Sequence, residues 1–177
     1  DMGQSWQKYK EKPDGFSKEG IPYFIFSAPS DGLYGFYSVA TDSVGNREPE
    51  PTEGTSAAFY VCVDTTPPVV KLTCPKDGSQ LQNADTITIS WTSTDSSLGD
   101  NPITIEYSLD AGVTWKKIAD NQPAQGTYKW SPPRKNIPHL LLRVVAHDLA
   151  GNSARAGLVK GLTLISGPEG KRPVPPV

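Results

Sequence analysis

An aspartate and an asparagine recur with the same spacing at two places in the sequence. Residues 34–46 read YGFYSVATDSVGN and residues 140–152 read LLLRVVAHDLAGN, and both stretches end in Ala-x-Asp-x-x-Gly-Asn. Carboxylate and amide oxygens are the ligands that Ca²⁺ takes in proteins, usually about six to eight of them. One hypothesis is therefore a calcium site at a domain junction. The oxygens available to it belong to Asp42, Asn46, Asp64, Asp148 and Asn152.

The same motif also has a purely structural interpretation, a tight turn between two strands. Aspartate accepts hydrogen bonds from the N–H groups of a turn, glycine supplies a positive φ, and asparagine tolerates the left-handed region. Gly45 and Gly151 occupy the glycine positions of the two copies. We favour the turn, because only two or three oxygen ligands can be named for each site. Calcium stays the alternative, and no other cofactor is expected.

A second motif, S-x-D-x-G-x-T-W, follows from Ser108, Asp110, Gly112, Thr114 and Trp115. It resembles the Asp-box of sialidase-type propellers, a resemblance that implies a structural hairpin and not a catalytic site. The first residues of the chain, DMGQSWQKY, match the motif in part, 109 positions upstream. Propeller blades repeat at about 40–50 residues. We therefore interpret the box as a hairpin within a β-sandwich and keep a glycosidase fragment as a remote alternative.

The sequence offers few groups suited to nucleophilic or acid–base catalysis. His139 and His147 are its two histidines, and His147 adjoins Asp148 in a predicted strand. Adjacent strand residues point to opposite faces, so this pair does not form a dyad. Sialidase chemistry needs an arginine cluster with a Tyr/Glu pair, whereas the five arginines are scattered. We expect surface histidines and no enzymatic activity.

Aromatic residues are the other candidates for ligand binding. Trp91, Trp130 and Phe26 fall at inward positions of predicted strands, so we expect them in the core. Tyr23, Phe24 and Tyr37 lie in the acidic first part of the chain. If exposed, these three could form a patch for a glycan or a protein, or mark a surface on which further strands pack.

Charge divides unevenly along the chain. The net charge is −2, but residues 1–65 hold five Lys+Arg against ten Asp+Glu, while residues 66–177 hold twelve against nine. Neither part has the concentrated basic stripe that contacts with nucleic-acid phosphates need. The asymmetry indicates two modules with different surfaces, and nucleic acid is not expected as a partner.

Two cysteines, Cys62 and Cys74, lie on either side of Pro67-Pro68. They are too few for a disulfide scaffold or a structural zinc site. We favour two small buried thiols, with a disulfide that clamps the junction as the alternative.

Composition and periodicity indicate an all-β chain. The 177 residues include 16 Gly and 17 Pro, spread without a period, and no apolar run approaches the roughly 20 residues that span a bilayer. Membrane insertion is therefore not expected. Short apolar or alternating runs, bounded by Pro, Gly, Asn and Asp, are typical of strands. From residue 66 onward they predict seven strands, at 69–74, 86–92, 103–109, 114–119, 126–131, 140–147 and 156–165.

The chain is a tandem repeat whose first copy is incomplete. Residues 22–29 resemble 126–133, and the chain's first nine residues resemble 110–118, in the same order as the paired turns. The first copy predicts four strands, at 5–10, 22–27, 34–41 and 57–63, with no counterpart of 69–109. Half a sandwich exposes an apolar face and an unpaired edge. Either the sequence is a piece of a longer chain, or another segment supplies the missing strands.

The repeat sets the expected domain boundaries. We predict a first repeat at 1–65, a complete second repeat at 66–166 and a proline-rich tail at 167–177. The linker Asp64-Thr65-Thr66-Pro67-Pro68 should be extended and stiff, because proline fixes φ and restricts the residue before it. The tail, with four prolines, is suited to spacing this region from a neighbour.

The proline linker, the paired turns and the YSLDAGVTW hairpin together resemble the tandem immunoglobulin-like or fibronectin type III-like β-sandwich modules of large bacterial secreted and cell-surface proteins. The resemblance implies an extracellular or cell-surface location and a role as stalk, spacer or adhesive unit. It also implies neighbouring domains of the same polypeptide as the partners. Two functions follow as hypotheses: a non-catalytic structural module, or a glycan- or protein-binding module that uses the first repeat.

Overall fold

The chain divides into two compact units, Asp1–Thr65 and Thr66–Val177. The computed structural model describes residues 5–82 and 86–165. Every element assigned within these ranges is a β-strand, which confirms the all-β prediction. No helix in the described ranges is long and apolar enough to cross a bilayer. The predicted tail, 167–177, lies outside the described residues.

Unit 1, residues 1–65, has four short strands among its described residues. They are β1 (Gly15–Phe16), β2 (Pro22–Tyr23), β3 (Gly32–Phe36) and β4 (Phe59–Val63). β1 pairs with β2 and β3 pairs with β4, each in an antiparallel two-stranded ladder. Two-stranded ladders bury little side-chain surface, so most large apolar residues of this unit stay exposed.

Unit 2, residues 66–177, has nine strands among its described residues. They are β5 (Val69–Cys74), β6 (Gln80–Gln82), β7 (Ile87–Thr94), β8 (Leu98–Ser108), β9 (Lys116–Gln122), β10 (Gln125–Trp130), β11 (Ile137–Asp148), β12 (Ser153–Gly157) and β13 (Leu162–Ile165). One sheet has the order β10-β7-β5, and the other has the order β6-β13-β11-β8-β9 with β12 also paired to β11. All pairings are antiparallel except β6 with β13.

The two sheets of unit 2 enclose one hydrophobic core, which makes it a β-sandwich. The predicted alternation is confirmed on both sides of this core. The inward residues of β7 and β11 are between 0% and 2% exposed: Ile87, Ile89, Trp91, Leu140, Leu142, Val144 and Ala146. Ile103 and Ile105 of β8 are also at 0%. Alternating side chains explain why one face of each strand is apolar and the other polar.

One strand prediction for unit 2 is wrong, and one strand was not predicted. The run 156–165 forms two strands, β12 and β13, because Asp77 accepts hydrogen bonds from the backbone N–H groups of Val159, Lys160 and Gly161 between them. A backbone N–H group that donates its hydrogen bond to a side chain is not available for the hydrogen bonds between two strands. β6 was not predicted at all, and its three residues pair in parallel with β13.

The strand predictions for unit 1 hold only in part. Residues 5–10 form no strand, the run 22–27 is reduced to β2, and 34–41 is replaced by β3. The segment 5–10 corresponds to the hairpin that leads into β9, and β9 pairs with β8. Among the described residues unit 1 has no strand equivalent to β8. A segment without a neighbour to pair with cannot form a ladder.

Candidate functional site

The Asp148 turn joins β11 to β12. The Asp148 carboxylate accepts hydrogen bonds from the backbone N–H of Asn152 at 2.8 Å and from its side-chain Nδ2 at 2.8 Å. In return the backbone N–H of Asp148 donates to the Asn152 carbonyl at 3.1 Å. Gly151 has a φ of 96°, a conformation that L side chains rarely adopt. Asp, Gly and Asn thus each have a defined part in reversing the chain.

The Asp42 turn repeats this arrangement in unit 1. The Asp42 carboxylate accepts from the N–H of Val44 at 3.0 Å, the N–H of Asn46 at 2.8 Å and Nδ2 of Asn46 at 2.7 Å. The backbone N–H of Asp42 donates to the Asn46 carbonyl at 2.8 Å, and Gly45 has a φ of 94°. The two copies of the sequence motif therefore form the same hydrogen-bonded turn.

Both carboxylates are biased toward the ionised form. The side-chain hydrogen bond from Asn46, followed by the backbone N–H groups of the turn, lowers the pKa of Asp42. For Asp148 the largest influence is burial, which acts to raise the pKa, but hydrogen bonds from Asn152 and the turn amides together outweigh it and lower the pKa. An ionised carboxylate accepts stronger hydrogen bonds than a neutral acid.

The structure thus brings Asp42 together with Asn46, and Asp148 together with Asn152, each pair inside one turn. Asp64 is half-buried, one residue beyond the end of β4. The hydrogen bonds to turn amides are those that the turn interpretation requires. Calcium binding by these five residues stays a hypothesis.

The Ser108–Trp115 hairpin connects β8 to β9 through its own side chains. The Ser108 hydroxyl donates to the Asp110 carboxylate at 2.7 Å and accepts from the N–H of Gly112 at 2.8 Å. The Asp110 carboxylate also accepts two hydrogen bonds from Thr114, one from its backbone N–H at 2.9 Å and one from its hydroxyl group. The indole N–H of Trp115 donates to the Gly112 carbonyl at 2.9 Å. Four side chains of the motif are therefore occupied in closing the turn.

Hydrogen bonds inside the hairpin also lower the pKa of Asp110. The Thr114 hydroxyl, the Thr114 N–H and the Ser108 hydroxyl together lower it to about 2 from its ordinary 3.8. Gly112 has a φ of 87°, which explains the glycine of the motif. Such an arrangement stabilises a turn, and the acid it contains is ionised at neutral pH.

Trp115 also contacts the exposed face of the second sheet. The guanidinium carbon of Arg143 lies 4.0 Å from the Trp115 ring centroid, and Nε of Arg143 lies 2.6 Å from a carboxylate oxygen of Glu106. Glu106 and Arg143 are cross-strand partners on β8 and β11. The three side chains thus form one stacked and ion-paired cluster.

The three predicted binding aromatics are all exposed. Tyr23 is 47% exposed, Phe24 is 51% and Tyr37 is 39%. The Tyr37 ring packs edge-on against Trp6, with the centroids 5.8 Å apart. Their exposure meets the first condition for a binding patch, and binding itself stays a prediction.

The remaining candidates are the cysteines and histidines. Cys62 and Cys74 are free thiols, Cys62 exposed and Cys74 half-buried, so the expectation of two buried thiols is wrong for Cys62. His139 and His147 are exposed, as expected. Trp91 is buried, and its indole N–H donates to the Pro123 carbonyl at 2.9 Å, which confirms its expected place in the core.

Sequence reasoning missed one carboxylate with an extensive set of contacts. Asp77 accepts hydrogen bonds from the N–H groups of Val159 at 3.2 Å, Lys160 at 2.9 Å and Gly161 at 3.0 Å. These bonds, that of Lys160 first, lower the pKa of Asp77 despite the opposing effect of burial. The available signal was Asp77-Gly78, a turn dipeptide. The partners lie more than 80 residues away, so no local pattern reveals them.

No protein-family model matches the sequence, and neither does any curated protein. Among solved structures, the fold is similar to that of the fibronectin(III)-like modules of CbhA from Clostridium thermocellum. The two chains share 21% identity at a TM-score of 0.44, over 80% of this chain and 65% of the other. The present chain therefore spans less than two thirds of the length of that structure.

Proposed function

We propose that the chain is a non-catalytic structural module of a larger extracellular or cell-surface protein, which spaces or positions neighbouring domains. The observation that carries this proposal is the use of the motif carboxylates. Asp42, Asp110 and Asp148 each accept hydrogen bonds from the amides of their own turns. These carboxylates, which could in principle take part in catalysis or metal binding, instead stabilise the turns of the fold.

The hydrophobic core of unit 2 and an ion pair on its surface support the same proposal. A rigid spacer needs a well-packed core, because close-packed interiors resist deformation. Unit 2 has that core, and the Arg143–Glu106 pair lies on the outer face of its sheet. The proposal includes secretion of the protein, and its partners are neighbouring domains of the same polypeptide.

The first experiment asks whether the chain binds a ligand. The full chain would be applied to a glycan array and compared with the double variant Tyr23→Ser/Phe24→Ser. A structural module gives no saturable signal with either protein. A fluorogenic sialoside tests the glycosidase alternative in parallel, and turnover above the buffer rate would contradict the proposal.

A binding module is the second candidate function, favoured by the exposed aromatics of unit 1. Tyr23 and Phe24 are adjacent in sequence and about half exposed. Aromatic side chains supply a large contact area at a binding surface. Saturable binding by the full chain that the double variant abolishes would establish this function in place of the first.

Calcium binding is a side hypothesis with its own test. A ligand that binds only the native state must raise its stability. A melting temperature that rises in millimolar calcium, and does so less in Asp148→Asn, would support a calcium site. The same melting temperature in chelator and in calcium would remove the hypothesis.

A further inference from the structure

We infer that copies of this chain associate through two different surfaces. The outer face of the second sheet of unit 2 binds the acidic segment 48–53 of another copy. The contact joins Arg143 and Arg155 of one copy to Glu48 and Glu50 of the next. The inference goes beyond the proposed structural role, because it assigns a partner and a binding surface, and its failure would leave that role unaffected.

The receiving surface is a groove on the outer face of β8, β11 and β12. Two adjacent depressions, of about 310 Å³ and 360 Å³, share Thr104 and His147 in their linings. Ile105, the next residue of β8 after Thr104, is at 0% exposure in the core, so the groove lies on the solvent side of the sheet. Arg143 and Arg155 line one of the two depressions. An approaching chain therefore meets two cations on a polar surface.

The Arg143 guanidinium is held in a fixed orientation. Its Nε donates to the Glu106 carboxylate at 2.6 Å, and its central carbon lies 4.0 Å from the Trp115 ring centroid. Gly157, its cross-strand partner on β12, places no side chain beside it. No described residue accepts a hydrogen bond from Nη1 or Nη2 of Arg143. A preorganised guanidinium loses little freedom when it binds a carboxylate through its planar edge.

Arg155 supplies a second cation beside Arg143. It is exposed and pairs with Val145 across β11 and β12, so it is a diagonal neighbour of Arg143, with about 7–8 Å between their Cα atoms. Among the described residues no carboxylate forms an ion pair with Arg155. The two anions of the groove are already bound, Glu106 to Arg143 and Asp148 to its own turn. The positive charge of Arg155 is therefore left for a partner.

The acidic segment 48–53 of unit 1 has the complementary charge. Its sequence is EPEPTE, and its three glutamates, Glu48, Glu50 and Glu53, are exposed. Glu48 and Glu50 each precede a proline, which restricts them to extended conformations. Alternate residues of an extended chain lie about 6–7 Å apart. This spacing is close to the separation of the two arginines.

Both carboxylates keep the capacity to bind an arginine. One oxygen of Glu48 accepts from the backbone N–H of Ala40 at 2.8 Å, and one oxygen of Glu50 pairs with Arg47. These contacts hold the segment at the surface. An ionised carboxylate has about four acceptor positions, so one contact leaves the others open.

The charge balance of the two units agrees with such a contact. Residues 1–65 hold five Lys+Arg against ten Asp+Glu, whereas residues 66–177 hold twelve against nine. Opposite potentials bring two surfaces together and fix their register. Because each copy has one groove and one segment, the association continues from copy to copy and does not stop at a dimer.

Sedimentation velocity of the full chain over a range of concentrations tests the inference. We expect the average mass to rise with concentration and to fall to that of the monomer in high salt, because salt screens exposed charges. Arg155→Glu places like charges opposite each other and should weaken the association by about tenfold or more, as should Glu50→Arg. Lys129→Glu, the matched control, makes the same charge change on β10 of the other sheet and should associate as the native chain does.

A mixture of the two charge-reversed variants identifies the surfaces in contact. The Arg155→Glu copy keeps an intact acidic segment, and the Glu50→Arg copy keeps an intact groove. An equimolar mixture should therefore form dimers that neither variant forms alone, and no larger species. Recovery in the mixture also shows that both variants are folded.

A native chain that stays monomeric at every concentration would overturn the inference, as would unchanged association of Arg155→Glu. An equal loss in Lys129→Glu would overturn it as well, because the attraction would then not depend on the groove. Native association without recovery in the mixture would show that other surfaces are in contact. A monomeric chain that binds a glutamate-rich peptide of unrelated sequence would also contradict it, because the occupant would then be a different protein.

Discussion

The carboxylate of Asp77 accepts hydrogen bonds from the backbone N–H of Lys160, 83 residues further along the chain, at 2.9 Å and 3.1 Å. It also accepts from the N–H groups on either side of Lys160. Asp77 lies between β5 and β6, and Lys160 lies between β12 and β13. One side chain therefore holds the first and last loops of the sandwich together.

The first prediction concerns this carboxylate. Asp77→Ala removes the acceptor for three backbone N–H groups, so we expect it to lower the melting temperature of unit 2 by several degrees. Asp77→Asn keeps one acceptor oxygen and should have a smaller effect. Thermal unfolding followed by circular dichroism measures both. Asp100→Ala, at an exposed position of β8, is the control, and an effect of Asp77→Ala no larger than the control's would contradict the account.

The second prediction is a pH dependence that originates in Asp110. Its pKa in the folded protein is about 2, below the ordinary 3.8. A depressed pKa means that ionised Asp110 stabilises the fold above about pH 4, and that this stabilisation is lost as the pH falls from about 4 through about 2. Urea unfolding between pH 6 and pH 2, in steps of about one unit, measures the loss.

The variant Asp110→Asn separates this carboxylate from the others. It should be less stable than the native chain at pH 6, and its stability should fall less between pH 4 and pH 2. Asp100→Asn, which removes an exposed carboxylate from β8, is the control for the loss of one negative charge. An identical pH slope for the native chain and Asp110→Asn would show that the Ser108–Trp115 hairpin does not depend on an ionised carboxylate.

The third prediction compares Val61, the cross-strand partner of Tyr34 in β3, with Leu162, the cross-strand partner of Leu140 in β11. Leu162 is 1% exposed, so Leu162→Ala should reduce the unfolding free energy of unit 2 by about 2–5 kcal/mol. Val61 is 42% exposed, so Val61→Ala should cost less than about 0.5 kcal/mol, as surface substitutions do. Chemical denaturation of each variant gives the comparison. A large loss at Val61 would mean that this side chain is already covered.

Much of unit 2 could be predicted from the sequence, because its strands alternate clearly. Ile87, Ile89 and Trp91 are the inward face of β7, and β5 begins and ends where its apolar run does. The break between β12 and β13 could not be predicted, because it depends on Asp77, a distant residue. In unit 1 the run 5–10 has a strand-like sequence, yet a strand also needs a neighbouring strand with which to pair.

The candidate sites were predictable to a similar degree. The recurrence of Asp42 and Asp148 within one motif identified both turns, since a turn is a local structure whose hydrogen bonds join residues four apart. The Arg143–Trp115 contact was not predictable. It depends on the register between β8 and β11, which no motif specifies.

The fourth prediction tests that contact. Arg143→Ala removes the cation over the Trp115 ring and the partner of Glu106, which together should destabilise unit 2 by about 1–2 kcal/mol. Arg143→Lys keeps the charge but not the planar group, so its effect should be intermediate. The control is Arg155→Ala, an exposed cation on the adjacent β12. Equal stability of Arg143→Ala and Arg155→Ala would show that the cluster contributes nothing.

The central claim is that the motif carboxylates maintain the fold, and the most direct measurement is calorimetric unfolding of Asp148→Asn in excess chelator. Asp148 is 9% exposed and accepts two hydrogen bonds from Asn152. Chelator removes any effect of bound calcium, so the scan reports the turn alone. We expect a lower melting temperature for unit 2 of this variant than for unit 2 of the native chain under the same conditions. An unchanged melting temperature would contradict it, because the fold would then not need this carboxylate.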